Sequence, residues 1–359
     1  MIIYLSGNNV TDMHINYLTS YFYILNGMRS YDFEVFVEKK RGEKMNKISL
    51  FLDSGAYTAF TKRVEINIQD YIDFIKEHAE DITVYANLDV IGDAEATLRN
   101  QKIMEQAGLK PLPCFHRGED WKYLDYYISN YDYIALGGVA QRKGKNYLIA
   151  WMNRCWDIIC DTPDGMPRCK VHGFGVTSLD IMMKYPWYSV DSTSWVLTSR
   201  SGSIYVPRFR GGRYVYDQNT WKIPVSAQNP AKAKPGGHFE TLSPSDKRIV
   251  LNYIESKGFS IGKSEIKSVD RYYKLQKNER WYKVNEREED FISIEEIMGE
   301  EKDEYGRRLV EVVIEPGLCN DYRQRDAINI MYFLDLEKNF RPWPWSYKRK
   351  GIEGFGLRG

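Results

Sequence analysis

The sequence predicts an α/β protein whose first part is a (β/α)8 TIM barrel. Short apolar runs alternate with amphipathic helical stretches over the first 200 residues, and most of these runs are apolar on both faces, as buried parallel strands are. The length of 359 residues leaves room for a barrel of about 250 residues and a further region. Apolar residues make up 43% and charged residues 28% of the chain, which excludes disordered and fibrous classes.

Seven strands are predicted in order along the chain, with helical patterns between them. The strands are residues 2–5, 48–52, 83–88, 112–115, 133–136, 170–174 and 187–190, and an eighth is expected at 203–206. The helices are residues 67–78, 93–106, 119–128, 146–159 and 178–184. Asp93 is expected to cap the second of these helices, which ends before Gly108. This alternation favours a parallel barrel over a sandwich or a helical bundle.

The pattern changes after about residue 201. Residues 201–241 are rich in Gly, Pro and Arg, and a charged region beginning at Ser243 carries helical patterns at 292–298 and 322–336. We therefore expect a barrel domain over residues 1–215 and a basic, mostly helical C-terminal extension over residues 216–359.

Charge and cysteine usage exclude several classes of protein. The 50 Lys and Arg nearly balance 49 Asp and Glu, which excludes a globally basic nucleic-acid binder but not a local basic face. Without a membrane span or a secretory signal, the sequence predicts a cytoplasmic protein with no membrane partner. The five Cys include no CxxC pair, so neither a disulfide framework nor a metal site is predicted, and no cofactor is expected.

Functional residues of a parallel barrel gather at the carboxyl ends of its strands. Here those ends carry DSGAY (53–57), NLD (87–89), HRG (116–118), GGVA (137–140), HGFGV (172–176) and DSTSW (191–195). Each motif also has a structural explanation, since Asp53 could form a turn, Asp89 could cap a helix and Gly137 could end a strand. Because all of them fall at successive strand ends, they predict one site with three carboxylates.

The series DSGAYTAF, NLD, GGVA, HGFGV and VDSTSWVL resembles the tRNA-guanine transglycosylase superfamily over roughly residues 49–200. The resemblance implies a pentosyltransferase that exchanges guanine in a polynucleotide for a 7-deazaguanine. By the same resemblance, Asp191 would be the nucleophile at C1′ and Asp53 the general acid/base. The base would be bound by Asp89 at its Watson–Crick edge and by Tyr57, His116, Gly137, Gly138 and Phe174.

The chemistry of base exchange independently requires such residues. Exchange with retained configuration needs two displacements, hence one carboxylate nucleophile and one neighbouring acid/base. A planar heterocycle needs aromatic faces against it and an acceptor at its donor edge.

Departures from the family pattern favour DNA over tRNA as the substrate. Members that act on tRNA carry a CxCxxC…H zinc subdomain, whereas beyond residue 200 this chain has only Cys319 and His238 as such ligands. The fold is therefore expected to lack the zinc subdomain, and the chain looks closest to the DpdA-type DNA-guanine transglycosylases, which insert 7-deazaguanines (preQ0/preQ1-like) into phage or bacterial DNA. His116 stands where the family commonly has Gln.

A basic segment follows the barrel motifs. Residues 200–240 contain seven Lys and Arg against two acids, a balance that suits phosphate contact. The predicted nucleic-acid-binding residues are Arg200, Arg208, Arg210 and Arg213, and a weaker basic group follows in the tail at 341–358. The expected partners are DNA and a free 7-deazaguanine base, and a homodimer is left open.

Three alternatives remain at this point. One is a divergent tRNA-guanine transglycosylase, and another is a nucleic-acid-binding barrel without catalysis, against which the retention of Asp53 and Asp191 speaks. An unrelated barrel glycosidase or metal-dependent hydrolase is a weaker third, since no HxH or paired-His motif occurs.

Overall fold

The computed structural model describes residues 1–6, 13, 15–25, 49–138, 145–176, 178–217, 220–270, 272–282 and 302–347. The chain forms two compact units, the first made of residues 1–193 and 340–359 and the second of residues 194–339. The expected division between residues 215 and 216 falls inside the second unit. The helical pattern at 292–298 and the basic tail residues beyond 347 lie outside the described part of the chain.

The first unit is built on one eight-stranded parallel sheet. Its strands are β1 (Ile2–Ser6), β2 (Asn16–Ser20), β3 (Ser49–Asp53), β4 (Ile82–Tyr85), β5 (Cys114–His116), β6 (Tyr133–Gly137), β7 (Lys170–Gly173) and β8 (Ser189–Ser192). The spatial order is β4-β3-β2-β1-β8-β7-β6-β5. Beyond β4 and before β5, an isolated parallel bridge joins Ala86 to Leu112. The sheet is a curled one, compatible with a (β/α)8 fold, although its continuous ladder is not a closed barrel.

Helices accompany the strands of this unit. They are α1 (Tyr21–Leu25), α2 (Ala56–Lys62), α3 (Ile68–Glu77), α4 (Ala94–Gln106), α5 (Trp121–Asn130), α6 (Lys145–Ile159) and α7 (Leu179–Lys184). Asp93 caps α4 as expected, since its side chain accepts a hydrogen bond from the Ala96 amide. Helix α3 shows the predicted periodicity, because its buried residues are Tyr71, Ile72 and Ile75.

The core of the first unit has two layers. Inside the curled sheet lie Tyr4, Phe51, Ala86, Leu112, Cys114 and Ala135. Outside it, the apolar face of α3 packs against Leu50 and Leu52 of β3. Each strand therefore buries both faces, which explains the continuous apolar runs in the sequence.

The first unit is completed by residues that follow residue 339 in the chain. The Trp343 indole donates to the Pro186 carbonyl at 3.0 Å, and the Tyr347 amide donates to the Gly165 carbonyl at 2.8 Å. Trp345 and Tyr347 are buried. The chain thus returns to the first unit after completing the second.

The second unit combines helices with antiparallel strands. Its helices are α8 (Ser194–Arg200), α9 (Pro244–Ser256) and α10 (Tyr322–Asn339), with 3-10 turns at Pro230–Ala233 and Phe239–Thr241. The strands are β9 (Ser203–Val206), β10 (Arg208–Arg210), β11 (Arg213–Val215), β12 (Trp221–Pro224), β13 (Lys263–Val269), β14 (Glu279–Trp281) and β15 (Arg308–Glu315). β9 pairs with β12, β10 with β11, and β15 lies between β13 and β14.

One prediction about the fold is corrected, and another is not confirmed. The eighth strand of the parallel sheet is Asn16–Ser20, whereas Ser203–Val206 pairs antiparallel with β12 in the second unit. The mostly helical C-terminal extension is not confirmed either, because the charged region also contributes the three-stranded sheet of β13, β14 and β15. The helix predicted at 322–336 is confirmed as α10.

Within the described residues, no helix has the length and apolarity needed to cross a membrane.

Candidate active site at the strand ends

Three carboxylates lie at the carboxyl end of the parallel sheet. Asp53 is the last residue of β3, Asp191 lies in β8, and Asp89 follows the bridge at Ala86. The three interact electrostatically: burial raises the pKa of Asp53 from 3.8 to about 7, and the neighbouring charges of Asp191 and Asp89 add to the effect. The amides of Ser54 and Gly55 donate to Asp53 and oppose this shift in part. Asp53 can therefore hold or release a proton near neutral pH.

The turn after Asp53 requires glycine. Gly55 has a φ of 77°, and a Cβ there would lie 2.3 Å from Ser20 Oγ and 2.4 Å from Phe22 Cβ. The DSG sequence thus sets the direction in which the chain leaves β3 and enters α2.

Asp191 is held from two sides. The Gly175 amide donates to its Oδ1 at 2.6 Å, and the Ser6 hydroxyl donates to Oδ2 over a longer 3.4 Å. The residue is only 7% exposed. Since the amide fixes Oδ1, Oδ2 is the oxygen with the weaker hydrogen bond.

Beneath Asp191 lies a chain of polar contacts through His172, Ser189 and Tyr133, none of which was among the predicted site residues. His172 Nε2 is 3.5 Å from Asp191 Oδ1, while His172 Nδ1 is 2.7 Å from the Ser189 hydroxyl. That hydroxyl is also 2.6 Å from the hydroxyl of Tyr133. Burial lowers the pKa of His172 although Asp191 opposes the shift, so the ring is neutral at neutral pH. If Ser189 donates to Nδ1, the Nε2 proton faces Asp191.

Asp89 and His116 form the second half of the site. His116 Nε2 lies 3.3 Å from Asp89 Oδ2, and its Nδ1 lies 3.4 Å from Glu119 Oε1. Burial alone would lower the pKa of His116, but Cys114 and the Asp89 carboxylate raise it well above its ordinary value. Burial raises the pKa of Asp89, and His116 opposes this effect.

Gly137, the last residue of β6, lets His116 and Cys114 approach the backbone. A Cβ on Gly137 would lie 2.4 Å from His116 Cδ2 and 2.9 Å from Cys114 Sγ. Gly138 has a φ of 75°, in the left-handed region. Packing against His116 therefore explains Gly137 and the left-handed backbone explains Gly138, while the role of the pair in reading a purine carbonyl stays a prediction.

The two predicted stacking residues have different surroundings. Phe174 follows β7 and packs against His172 and Phe51, with ring centroids 4.6 Å and 5.7 Å away. Tyr57 is 57% exposed in the first turn of α2. In the described part of the chain, no ring contact joins Tyr57 to Phe174, so stacking on both faces of a base stays a prediction.

The four arginines predicted to bind nucleic acid belong to the second unit. Arg208 stacks over Trp221 at 4.0 Å from the ring centroid, and Arg210 pairs with Asp217 at 2.6 Å. Arg213 is exposed and opposite Arg210 in the β10–β11 hairpin, while Arg200 ends α8. The hairpin therefore presents guanidinium groups to solvent.

No protein-family model matches the chain, and a search of curated proteins finds no match either.

Proposed function

We propose that the protein is a DNA-guanine transglycosylase, a glycosyltransferase that replaces guanine in DNA with a 7-deazaguanine. The observation that carries the proposal is the pairing of Asp53, whose pKa is raised to about 7, with Asp191, whose Oδ1 accepts from the Gly175 amide. One carboxyl group ready to give a proton beside one oriented carboxylate is what double displacement at an anomeric carbon needs.

In the proposed reaction, a guanine nucleotide is flipped out of the duplex so that its C1′ is accessible. Asp191 Oδ2 attacks C1′, the bond from C1′ to the purine breaks, and Asp53 gives its proton to the departing guanine. The incoming deazapurine then loses its N9 proton to Asp53 and attacks C1′, which releases Asp191. Protons and electron pairs balance over the two steps, and the scheme calls for no cofactor.

Asp89 would recognise the base. Its carboxylate lies at the same strand ends and contacts His116 Nε2 at 3.3 Å, so an acceptor and a donor stand side by side. A guanine-like ring offers the complementary set, with N–H donors at its Watson–Crick edge and a carbonyl acceptor next to them. Phe174 would lie against one face of the ring.

DNA is proposed as the polynucleotide because the sequence lacks the zinc-ligand series of tRNA-modifying relatives. The hairpin with Arg208, Arg210 and Arg213 supplies cations suited to a phosphate backbone. A divergent tRNA-guanine transglycosylase is the second candidate, since the same carboxylates would serve a ribosyl unit.

The test is incorporation of radiolabelled guanine into duplex DNA and, in parallel, into tRNA. We expect label in DNA, loss of incorporation in Asp191→Asn, and ordinary incorporation in Asp125→Asn, a matched change at an exposed aspartate of α5. Label in tRNA alone would replace the proposal with the second candidate. Full incorporation by Asp191→Asn would remove Asp191 from the mechanism.

A further inference from the structure

We infer that Asp89, Cys114 and His116 together bind a single zinc ion. Each offers one donor atom of a kind that zinc accepts, namely a carboxylate oxygen, a thiol sulfur and an imidazole nitrogen. The three atoms lie within 4.8 Å of one another. This inference goes beyond the proposed base exchange and does not depend on it.

The distances from His116 to the two other donors are those that a tetrahedral zinc ion imposes. His116 Nε2 lies 3.6 Å from Cys114 Sγ and 3.3 Å from Asp89 Oδ2. With zinc–sulfur bonds of about 2.3 Å and zinc–nitrogen or zinc–oxygen bonds of about 2.0–2.2 Å, tetrahedral angles separate sulfur from nitrogen by roughly 3.6 Å and nitrogen from oxygen by roughly 3.3–3.4 Å. His116 would therefore need little movement relative to either partner, and Asp89 and Cys114 already lie within 4.8 Å of each other.

A second observation comes from Glu119. Its Oε1 lies 3.4 Å from His116 Nδ1, and its Oε2 accepts from the His116 amide at 3.0 Å. A metal-binding histidine usually directs its other ring nitrogen to a carboxylate, which fixes the tautomer and turns the free nitrogen to the metal. Glu119 holds His116 in that orientation, with Nε2 towards Cys114 and Asp89.

A third observation is an unsatisfied oxygen. Asp89 is nine-tenths buried at its side chain, and within the described part of the chain its Oδ1 has no hydrogen-bond partner. A buried carboxylate oxygen without a donor is costly, and a cation bound by Asp89 would compensate its charge. Asp89 therefore has a buried oxygen that a bound metal ion could coordinate.

The donor set selects the metal. Sulfur and nitrogen ligands favour zinc over magnesium or calcium, which prefer oxygen throughout. On binding, the thiol proton of Cys114 and the Nε2 proton of His116 pass to solvent, so that a thiolate and a neutral imidazole coordinate the ion. Three protein ligands leave the fourth position of a tetrahedral ion for water or another molecule. Since Asp89 is also the residue proposed to recognise the base, bound zinc should compete with the base for Asp89.

The experiment measures zinc binding by the full-length protein, freed of metal by chelation, against a chromogenic competitor and without DNA or nucleobase. We expect one zinc ion per chain, at least tenfold weaker binding in Cys114→Ser, and 10- to 100-fold weaker binding in Glu119→Gln. Cys160→Ser is the matched control, since Cys160 is another buried free thiol of the first unit, and it should bind zinc like the unchanged protein.

X-ray absorption of the zinc-loaded, unchanged protein requires no variant to fold. One sulfur and the remainder nitrogen or oxygen neighbours would support the inference. No zinc uptake, a first shell without sulfur, or equal affinity of Cys114→Ser and Cys160→Ser would overturn it. Because no exchange reaction is measured, failure of the proposed function leaves this result untouched, and the reverse also holds.

Discussion

Replacing Asp53 by Asn should stabilise the protein, and the gain should grow with pH. The pKa of Asp53 is raised from 3.8 to about 7 by burial and by the charges of Asp191 and Asp89. Since the folded pKa exceeds the unfolded one, the unfolded chain releases this proton first as the pH rises. The raised pKa of Asp53 therefore leaves the free energy of unfolding unchanged below about pH 4. Its full destabilising effect is reached above about pH 7.

The magnitude follows from the two pKa values. They differ by about three units, each worth about 1.4 kcal/mol, so ionised Asp53 destabilises the fold by about 4 kcal/mol at pH 8. At pH 5 the cost is about 1.5 kcal/mol. The amide of Asn carries no charge to desolvate, and its carbonyl can still accept from the Ser54 or Gly55 amide. The figure is a ceiling, because the new NH₂ group must also find a partner.

Urea unfolding followed by circular dichroism at pH 5 and pH 8 measures the free energy of unfolding. Asp53→Asn should raise it more at pH 8 than at pH 5, by about 2.5 kcal/mol. Asp125→Asn, an exposed change on α5, should shift it little at either pH. A gain that is equal at both pH values, or a loss at pH 8, would refute the assignment of a raised pKa to Asp53.

Three further predictions concern catalysis, packing and nucleic-acid binding. In a single turnover, formation of the covalent intermediate should slow about tenfold per pH unit above pH 7, because Asp53 must be protonated to release guanine; a rate independent of pH would contradict its role as the acid. Gly137→Ala should lower the free energy of unfolding by about 1–3 kcal/mol through its contact with His116, measured by urea unfolding, and an unchanged free energy of unfolding would contradict the close packing of His116 on Gly137. Arg213→Ala, at an exposed hairpin position, should weaken DNA binding and reduce the slope of log affinity against log salt by about 1, and an unchanged slope in a fluorescence titration would place Arg213 away from the phosphates.

Much of the parallel sheet could be predicted because its strands are apolar on both faces. Residues 16–20, NYLTS, were missed since their polar residues hide the pattern, although all five are buried in the sheet. The segment 203–206 has the apolar pattern of a buried strand and forms one, but its sequence does not indicate which sheet it joins. β13 and β15 contain several charged residues and are partly exposed, so they lack the apolar run typical of a buried strand and the charged region reads as mostly helical.

The candidate site was predictable in its positions but not in its contacts. Strand ends placed Asp53, Asp89 and Asp191 at one edge of the sheet, where the structure has them. A signal for Cys114 was available, since it stands two residues before His116 on one strand and therefore faces the same side. His172 begins the strand-end motif 172–176, but its contacts could not be predicted, because its neighbours Ser189 and Asp191 come from β8 and are brought together only by strand pairing.

The return of the chain to the first unit has a consequence for synthesis. As the ribosome makes the protein from its amino terminus, the sheet strands emerge first and the whole second unit follows before residues 340–347 appear. Until then, the carbonyls of Met183, Pro186 and Gly165 lack the donors of Arg341, Trp343 and Tyr347. The first unit therefore stays incomplete until about 150 further residues have been translated, which at roughly 5–20 residues per second is a delay of about 7–30 seconds.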